Sequence, residues 1–132
     1  MTVSIEMALQ EALDDILSPV LAPIPLFDQA PQDQAYPFAE FARMTFKVAT
    51  EYTLDQQIAT VSLAVYSNAR GRREVTEAMA KMRAALHMQA FPIAGGNVVN
   101  AMYEQADAVA GGDGVSWIGT ILFTVTVEPT PA

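Results

Sequence analysis

The segment from Val115 to Val127 constrains the fold more than any other part of the sequence. Along it, large apolar residues alternate with threonines, and β-branched and aromatic residues of this kind favour extended backbone. Alternation with a period of two places the apolar set on one face of a strand: Trp117, Ile121, Phe123, Val125 and Val127. We therefore expect a long strand that is central in a sheet or lies at an interface.

Two earlier segments show the same alternation. From Phe38 to Thr50, the residues at even-numbered positions are mostly apolar. From Ile58 to Tyr66, the residues at odd-numbered positions are apolar. A polar turn at 53–56 separates the two segments, which predicts an antiparallel hairpin. A further strand is predicted from Val98 to Gln105, between two glycine-containing turns.

Two other segments have helical spacing. From Ser4 to Leu17 apolar residues recur every three or four positions with acidic residues between them, which predicts an amphipathic helix. We expect it to end at Ser18-Pro19, because proline disfavours helical backbone in the residue before it. A cap at Ser67 or Asn68 begins a second predicted helix. Its apolar face consists of Val75, Met79, Met82 and Leu86.

These elements predict an α+β fold in the order α-β-β-α-β-β. Short connections favour an antiparallel sheet of about four strands with both helices packed on one face. We predict one domain over residues 1–132, with a proline-rich connector at 19–37 and a short C-terminal tail at 128–132 that cannot continue the sheet. No predicted helix covers the other face of the sheet, so we expect oligomerisation.

Charge and composition argue against several classes of protein. The chain has no cysteine, which excludes disulfides and thiolate catalysis. Its formal net charge of −8 opposes tight binding to nucleic acid. No stretch has the roughly 18 uncharged apolar residues that a membrane helix needs. The first residues lack the basic stretch of an export signal, so we expect a soluble, unexported protein.

No group of residues in the sequence indicates catalysis, a cofactor or a metal. His87 is the only histidine, and no serine or cysteine partner can be assigned to it. The adjacent Asp14 and Asp15 point about 100° apart on a helix, too far to share a proton. The glycine-rich turns lack the Lys-Ser/Thr of a phosphate loop. The spacing of three further acidic residues does not match that of a calcium-binding loop: Glu104, Asp107 and Asp113.

A cluster of positive charge, Arg70-Gly71-Arg72-Arg73, stands out in an acidic chain. All seven acidic residues of the N-terminal third precede Arg43, the first basic residue. The cluster is either a solvated helix start, where cations oppose the helix dipole, or a site for salt bridges to the acidic third of another subunit. The candidate subunit interface comprises Arg70, Arg72, Arg73, Asp14, Asp15 and Trp117.

Three stretches form a pattern that spans nearly the whole chain. They are Phe27-Asp28-x-x-Pro31 with Tyr36-Pro37-Phe38, then 63–74 with Ala85-Leu86-His87, then 113–119 with Ile121-Leu122-Phe123. In this order they resemble the phage tail-completion, or tail-terminator, family of siphophages, prophages and gene transfer agents. Two positions depart from the family pattern: Tyr66 stands where tryptophan is frequent, and Phe38 where tyrosine is.

The resemblance implies a structural virion protein without catalytic residues, cofactor or metal. Such proteins typically assemble as a hexameric ring on the head-proximal end of the tail tube. The implied partners are further copies of the chain, the tail tube protein and a head–tail connector or stopper protein, with DNA only passing through the lumen. The implied location is the tail of a virion or phage-like particle assembled in the bacterial cytoplasm. Like charge in an acidic lumen would keep DNA from binding to the wall.

Alternative functions stay open on the sequence alone. A different connector protein, such as a stopper or head-completion component, has the same physical signature, because small α+β folds serve many roles. A small-ligand-binding α+β dimer could use its open sheet face as a pocket. Axial contacts of a ring are expected at the hairpin tips, residues 53–56 and 108–114.

Overall fold

The computed structural model describes residues 4–48 and 56–130 of the chain. The elements in chain order are α1 (Ile5–Leu21), β1 (Leu26–Phe27), β2 (Phe38–Val48), β3 (Gln57–Ser67), α2 (Arg73–Leu86), β4 (Gln89–Ile93), β5 (Gly96–Ala110) and β6 (Trp117–Pro129). The α+β class predicted from the sequence is confirmed. The predicted turn at 53–56 lies, except for Gln56, outside the described residues.

The strands form one sheet in the order β1-β2-β3-β6-β5-β4. Its pairs are antiparallel except for the short parallel pair of β1 with β2. The prediction of about four antiparallel strands was wrong in number, because it missed the two edge strands β1 and β4. The four long strands match the predicted ones, and β6 is central as expected.

Both helices pack on one face of the sheet. The β3 residues Val61 and Leu63 pair with Phe123 and Ile121 of β6, so their side chains share that face. All four side chains are at most 1% exposed and belong to one core with the apolar sides of α1 and α2. Burial of each such side chain contributes about 1.5–3 kcal/mol.

Helix α1 continues through Pro19 to Leu21, so the prediction that it ends at Ser18-Pro19 was wrong. Leu13, Leu17 and Leu21 follow one another at intervals of four residues and are all buried. Burying the last leucine contributes about 1.5–3 kcal/mol, comparable with the ~3 kcal/mol that proline costs inside a helix. Tertiary packing therefore offsets the local penalty.

A β-bulge between Phe41 and Arg43 shifts the pairing of β2. Because side chains alternate with a period of two, one extra residue exchanges the two faces of a strand. Met44 and Phe46 pack against the core as expected, but Phe38 lies on the opposite face and stacks on Tyr66. The apolar alternation predicted for this segment is thus interrupted at the bulge.

The N-cap of α2 is Arg72, so the predicted cap at Ser67 or Asn68 was wrong. Ser67 is fully buried instead: its Oγ donates a hydrogen bond to Glu74 Oε1 at 2.5 Å and accepts one from the backbone N of Ala69 at 3.0 Å. The hydroxyl therefore ties the end of β3 to the first turn of α2.

Strand β6 extends to Pro129, two residues into the stretch 128–132 that was predicted as a tail. Gly96 pairs with Pro129 across the sheet, and the backbone N of Thr130 donates to the carbonyl of Gly95 at 2.8 Å. Pro129 itself cannot donate to the ladder, and β6 ends at this residue.

Gly119 lets α2 approach the sheet closely. A Cβ added at Gly119 would lie 3.0 Å from Met79 Sδ and 3.0 Å from Val75 Cβ. We expect Gly119→Ala to lower the free energy of unfolding by roughly 1–3 kcal/mol, the usual effect of overpacking, as measured by urea denaturation. Gly112→Ala is the control, because its Cβ would meet nothing within 4 Å. Equal stability of the two variants would contradict the close contact.

Candidate assembly surfaces

Residues 68–72 join β3 to α2, and we call them, together with Arg73 at the start of α2, the arginine loop. Its three arginines are all exposed. Gly71 has a φ of +80°, a left-handed conformation that glycine adopts without strain. The guanidinium of Arg72 lies 4.7 Å from the centre of the Trp117 ring, within the range of cation–π attraction. The structure therefore brings together two of the predicted interface residues, Arg72 and Trp117.

Arg73 is engaged differently from its neighbours. Its Nε lies 2.9 Å from Glu77 Oε1 one turn later on α2, and this hydrogen bond raises the pKa of Arg73. This is the one ion pair found in the described ranges 4–48 and 56–130. The predicted contact of the arginines with Asp14 and Asp15 is therefore not made within one chain.

A surface groove of about 510 Å³ lies between α1 and the strands β1 and β2, and we call it the acidic groove. Its lining combines apolar side chains with three carboxylates: Met7, Gln10, Glu11, Asp14, Leu26, Phe27, Asp28 and Phe41. Asp14 lines it and accepts a hydrogen bond from Ser18 Oγ at 3.0 Å, whereas Asp15 is exposed and does not line it. The groove suits a segment that is basic and partly apolar.

The sheet face opposite the helices carries an aromatic cluster at one end. The rings of Phe38 and Tyr66 stack with centroids 4.7 Å apart, and Tyr36 lies 5.7 Å from Phe38. Tyr66 Oη donates to Glu40 Oε1 at 3.1 Å. Burial, and then the nearby Glu40 carboxylate, raise the pKa of Tyr66. The rest of this face is rich in half-buried threonines: Thr60, Thr120, Thr124 and Thr126.

Both edges of the sheet are only partly covered. On one side, β1 pairs with β2 at Ala39 and Glu40. On the other side, β4 pairs with the first part of β5, from Gly96 to Ala101. In the described part of the chain, no strand therefore lies on the outer side of residues 43–48 of β2 or of residues 104–110 of β5.

His87 lies at the boundary of the uncovered part of β5. Its Nδ1 accepts a hydrogen bond from the backbone N of Tyr103 at 3.1 Å, and Met88 N donates to the carbonyl of Ala101 at 2.7 Å. The His87 ring also meets the Tyr103 ring edge-on, with centroids 6.4 Å apart. The imidazole thus substitutes for a strand at this point of the edge.

Asp113 holds the turn between β5 and β6. Its Oδ1 accepts three hydrogen bonds, from Val115 N at 3.0 Å, Ser116 N at 2.8 Å and Ser116 Oγ at 2.8 Å. The bonds from Ser116 and Val115 lower the pKa of Asp113. Among the described residues, no group of three or more His, Asp or Glu side chains could hold a metal ion. The sequence analysis did not identify this role, although the Asp-x-x-Ser spacing is typical of a side-chain-stabilised turn.

Asp113 predicts a pH-dependent contribution to stability. Because its pKa is lowered on folding, the stabilisation is complete above the unfolded value of about 3.9 and is lost as the pH falls through the folded value. We expect Asp113→Ala to lower the Tm at pH 7, and the difference from wild type to shrink below about pH 4. Asp33→Ala, which removes another exposed carboxylate, is the control. A Tm difference that stays constant down to pH 2 would contradict this role.

Comparison with known proteins places the fold. A family model described as "Tail completion protein gp17" matches residues 8–128. A chain in a solved structure, "Virion of native gene transfer agent (GTA) particle", superposes with a TM-score of 0.79 at 16% identity, covering 96% of this chain and 99% of that chain. At that identity the likeness concerns the fold alone. No curated protein matches the sequence.

In residues 4–48 and 56–130, no helix has the length and apolarity to cross a membrane.

Proposed function

The chain belongs to the tail completion protein gp17 family, and on that premise we propose that it caps the head-proximal end of a phage-type tail tube. The observation that carries the proposal is the family match, which spans nearly the whole chain. In this role the protein ends tube growth and joins the tail to a head connector or stopper protein. Its work is structural, and DNA passes it only in transit.

The particle is a virion or a phage-like particle such as a gene transfer agent, assembled in the bacterial cytoplasm. The chain of similar fold belongs to a gene transfer agent virion, and its match covers both chains almost completely. A match of this extent over both chains supports the same kind of role for this chain.

We infer that the capping unit is a ring of identical subunits, with six copies as the expected number. The surfaces that complement each other are different parts of the chain: the arginine loop is basic and the acidic groove is apolar and acidic. Contacts between two different surfaces are head-to-tail, and they form a ring when the rotation between copies closes. This supports a ring over a two-fold dimer.

In this ring the arginine loop of one copy faces the acidic N-terminal region of the next. Arg70 and Arg72 are exposed and make no ion pair within the described part of the chain. Stacking on Trp117 holds the Arg72 guanidinium at the surface. Asp14, which lines the groove, is the most direct acceptor, and Asp15 lies next to it on α1.

The capping function predicts an effect on tube length. Purified tail tube protein, polymerised with increasing amounts of this protein, is expected to give shorter tubes with a ring at one end, as measured by negative-stain imaging. Light scattering coupled to size exclusion across a concentration series should show a multi-subunit species. Binding to a connector without any effect on tubes would favour the stopper role instead. A strict monomer or dimer that never joins a tube would contradict the proposal.

The arginine loop predicts a weaker assembly on charge reversal. Arg70→Glu with Arg72→Glu replaces attraction to the acidic groove by repulsion, which at exposed sites amounts to about 1–2 kcal/mol. We expect the subunit Kd to rise about tenfold at low salt, with a smaller effect at high salt. Lys81→Glu, on the exposed side of α2, is the control. Unchanged assembly of the double variant would exclude this contact.

A further inference from the structure

We propose that neighbouring copies join edge to edge: residues 43–48 of β2 in one copy pair with residues 104–110 of β5 in the next. The inference rests on the proposed ring and names the surface that builds it. The occupant of each uncovered edge is thus a second copy of this chain, and the sheet continues from subunit to subunit.

The first argument is the exposed backbone of the two edges. The uncovered parts of β2 and β5 are of similar length, and each belongs to a long strand. Such edges present free N–H and C=O groups and pair readily with another chain. Apolar side chains accompany them: Val48 is 57% exposed and Val109 is 52% exposed. Pairing with another copy would satisfy the backbone groups and cover these side chains.

The second argument is strand direction. β2 is antiparallel to β3, β3 to β6, and β6 to β5, so β2 and β5 run in opposite directions within one copy. A rotation about an axis that makes an acute angle with the strands preserves whether each strand runs up or down along that axis. The β5 edge of one copy therefore meets the β2 edge of the next as an antiparallel pair, the same arrangement as the other long pairs of the sheet.

The third argument is charge. The uncovered part of β2 carries the exposed Arg43 and Lys47, and that of β5 carries the exposed Glu104 and Asp107. A β2–β5 contact places opposite charges on neighbouring cross-strand positions, with Asp107 diagonal to both Arg43 and Lys47, and each such pair stabilises a strand pair by roughly 0.2–1 kcal/mol. A two-fold β2–β2 or β5–β5 contact would oppose like charges. The edges therefore favour head-to-tail assembly.

The fourth argument is the stagger between the two edges. Through β3, Arg43 aligns with Leu122 of β6, whereas Val109, which lies on the same face of the sheet as Arg43, aligns with Ile118. Joining the edges with Arg43 opposite Val109 therefore displaces each copy by about four residues, or about 13 Å, along the strands. Four long strands span about 19 Å, so the strands would tilt by about 35° from the ring axis, within the range of closed barrels.

Charge-swap variants test the inference. Arg43→Glu with Lys47→Glu, and separately Glu104→Lys with Asp107→Lys, are each expected to raise the assembly midpoint at least tenfold, measured by light scattering. The quadruple variant, which carries the swapped charges on both edges, is expected to assemble like wild type. Lys81→Glu is the matched surface control, and an unchanged Tm of the monomer excludes misfolding. Hydrogen exchange should show protection of residues 43–48 and 104–110 in the ring but not in the monomer.

The outcomes separate this inference from the capping function. A ring that caps tubes but leaves both edges unprotected, or that tolerates all the charge variants, would overturn edge pairing while leaving the function intact. Failure of the quadruple variant to recover assembly, while its monomer stays folded, would likewise overturn it. Wild-type protein that forms no ring even with tube protein would overturn both.

Discussion

Burial of one face of the β3–β6 pair beneath the two helices is the interaction on which the rest of the structure depends. Val61, Leu63, Ile121 and Phe123 lose nearly all their exposure there. Because strand side chains alternate, this burial also determines which residues remain on the opposite face. Gly119 lets α2 lie directly on β6, and the start of α2 in turn positions the arginine loop above Trp117. The surface features are consequences of how this core is packed.

How much of the fold the sequence predicts depends on the length of each periodic segment. The four long strands and two helices repeat their pattern often enough to be recognised. β1 and β4 contain two and five residues, too few for a repeat to be visible, and they form only because a long strand is already in place beside them. The extension of α1 through Pro19 is of the same kind: local propensity predicts a stop, and burial of Leu21 offsets it.

The residues of the candidate site also differ in how far they could be predicted from the sequence. The arginine cluster is contiguous in sequence, so its charge could be recognised there, and Asp14 could be proposed as an acceptor from the acidic bias of the N-terminal third. The stacking of Arg72 on Trp117 joins residues far apart in sequence and needs the β3–β6 pairing to exist. The uncovered edges could not be predicted at all, because they follow from where β1 and β4 stop pairing.

The charges of the edges reconcile two requirements of a self-assembling subunit. A newly made copy must remain soluble, although uncovered strand edges invite indiscriminate pairing. Arg43 and Lys47 repel a second β2 edge, and Glu104 and Asp107 repel a second β5 edge, so unproductive two-fold pairs are disfavoured. The one antiparallel combination that brings opposite charges together is also the one that can repeat by rotation. The same four side chains would thus protect the monomer and direct its assembly, because charge sets both which edges repel and which edges attract.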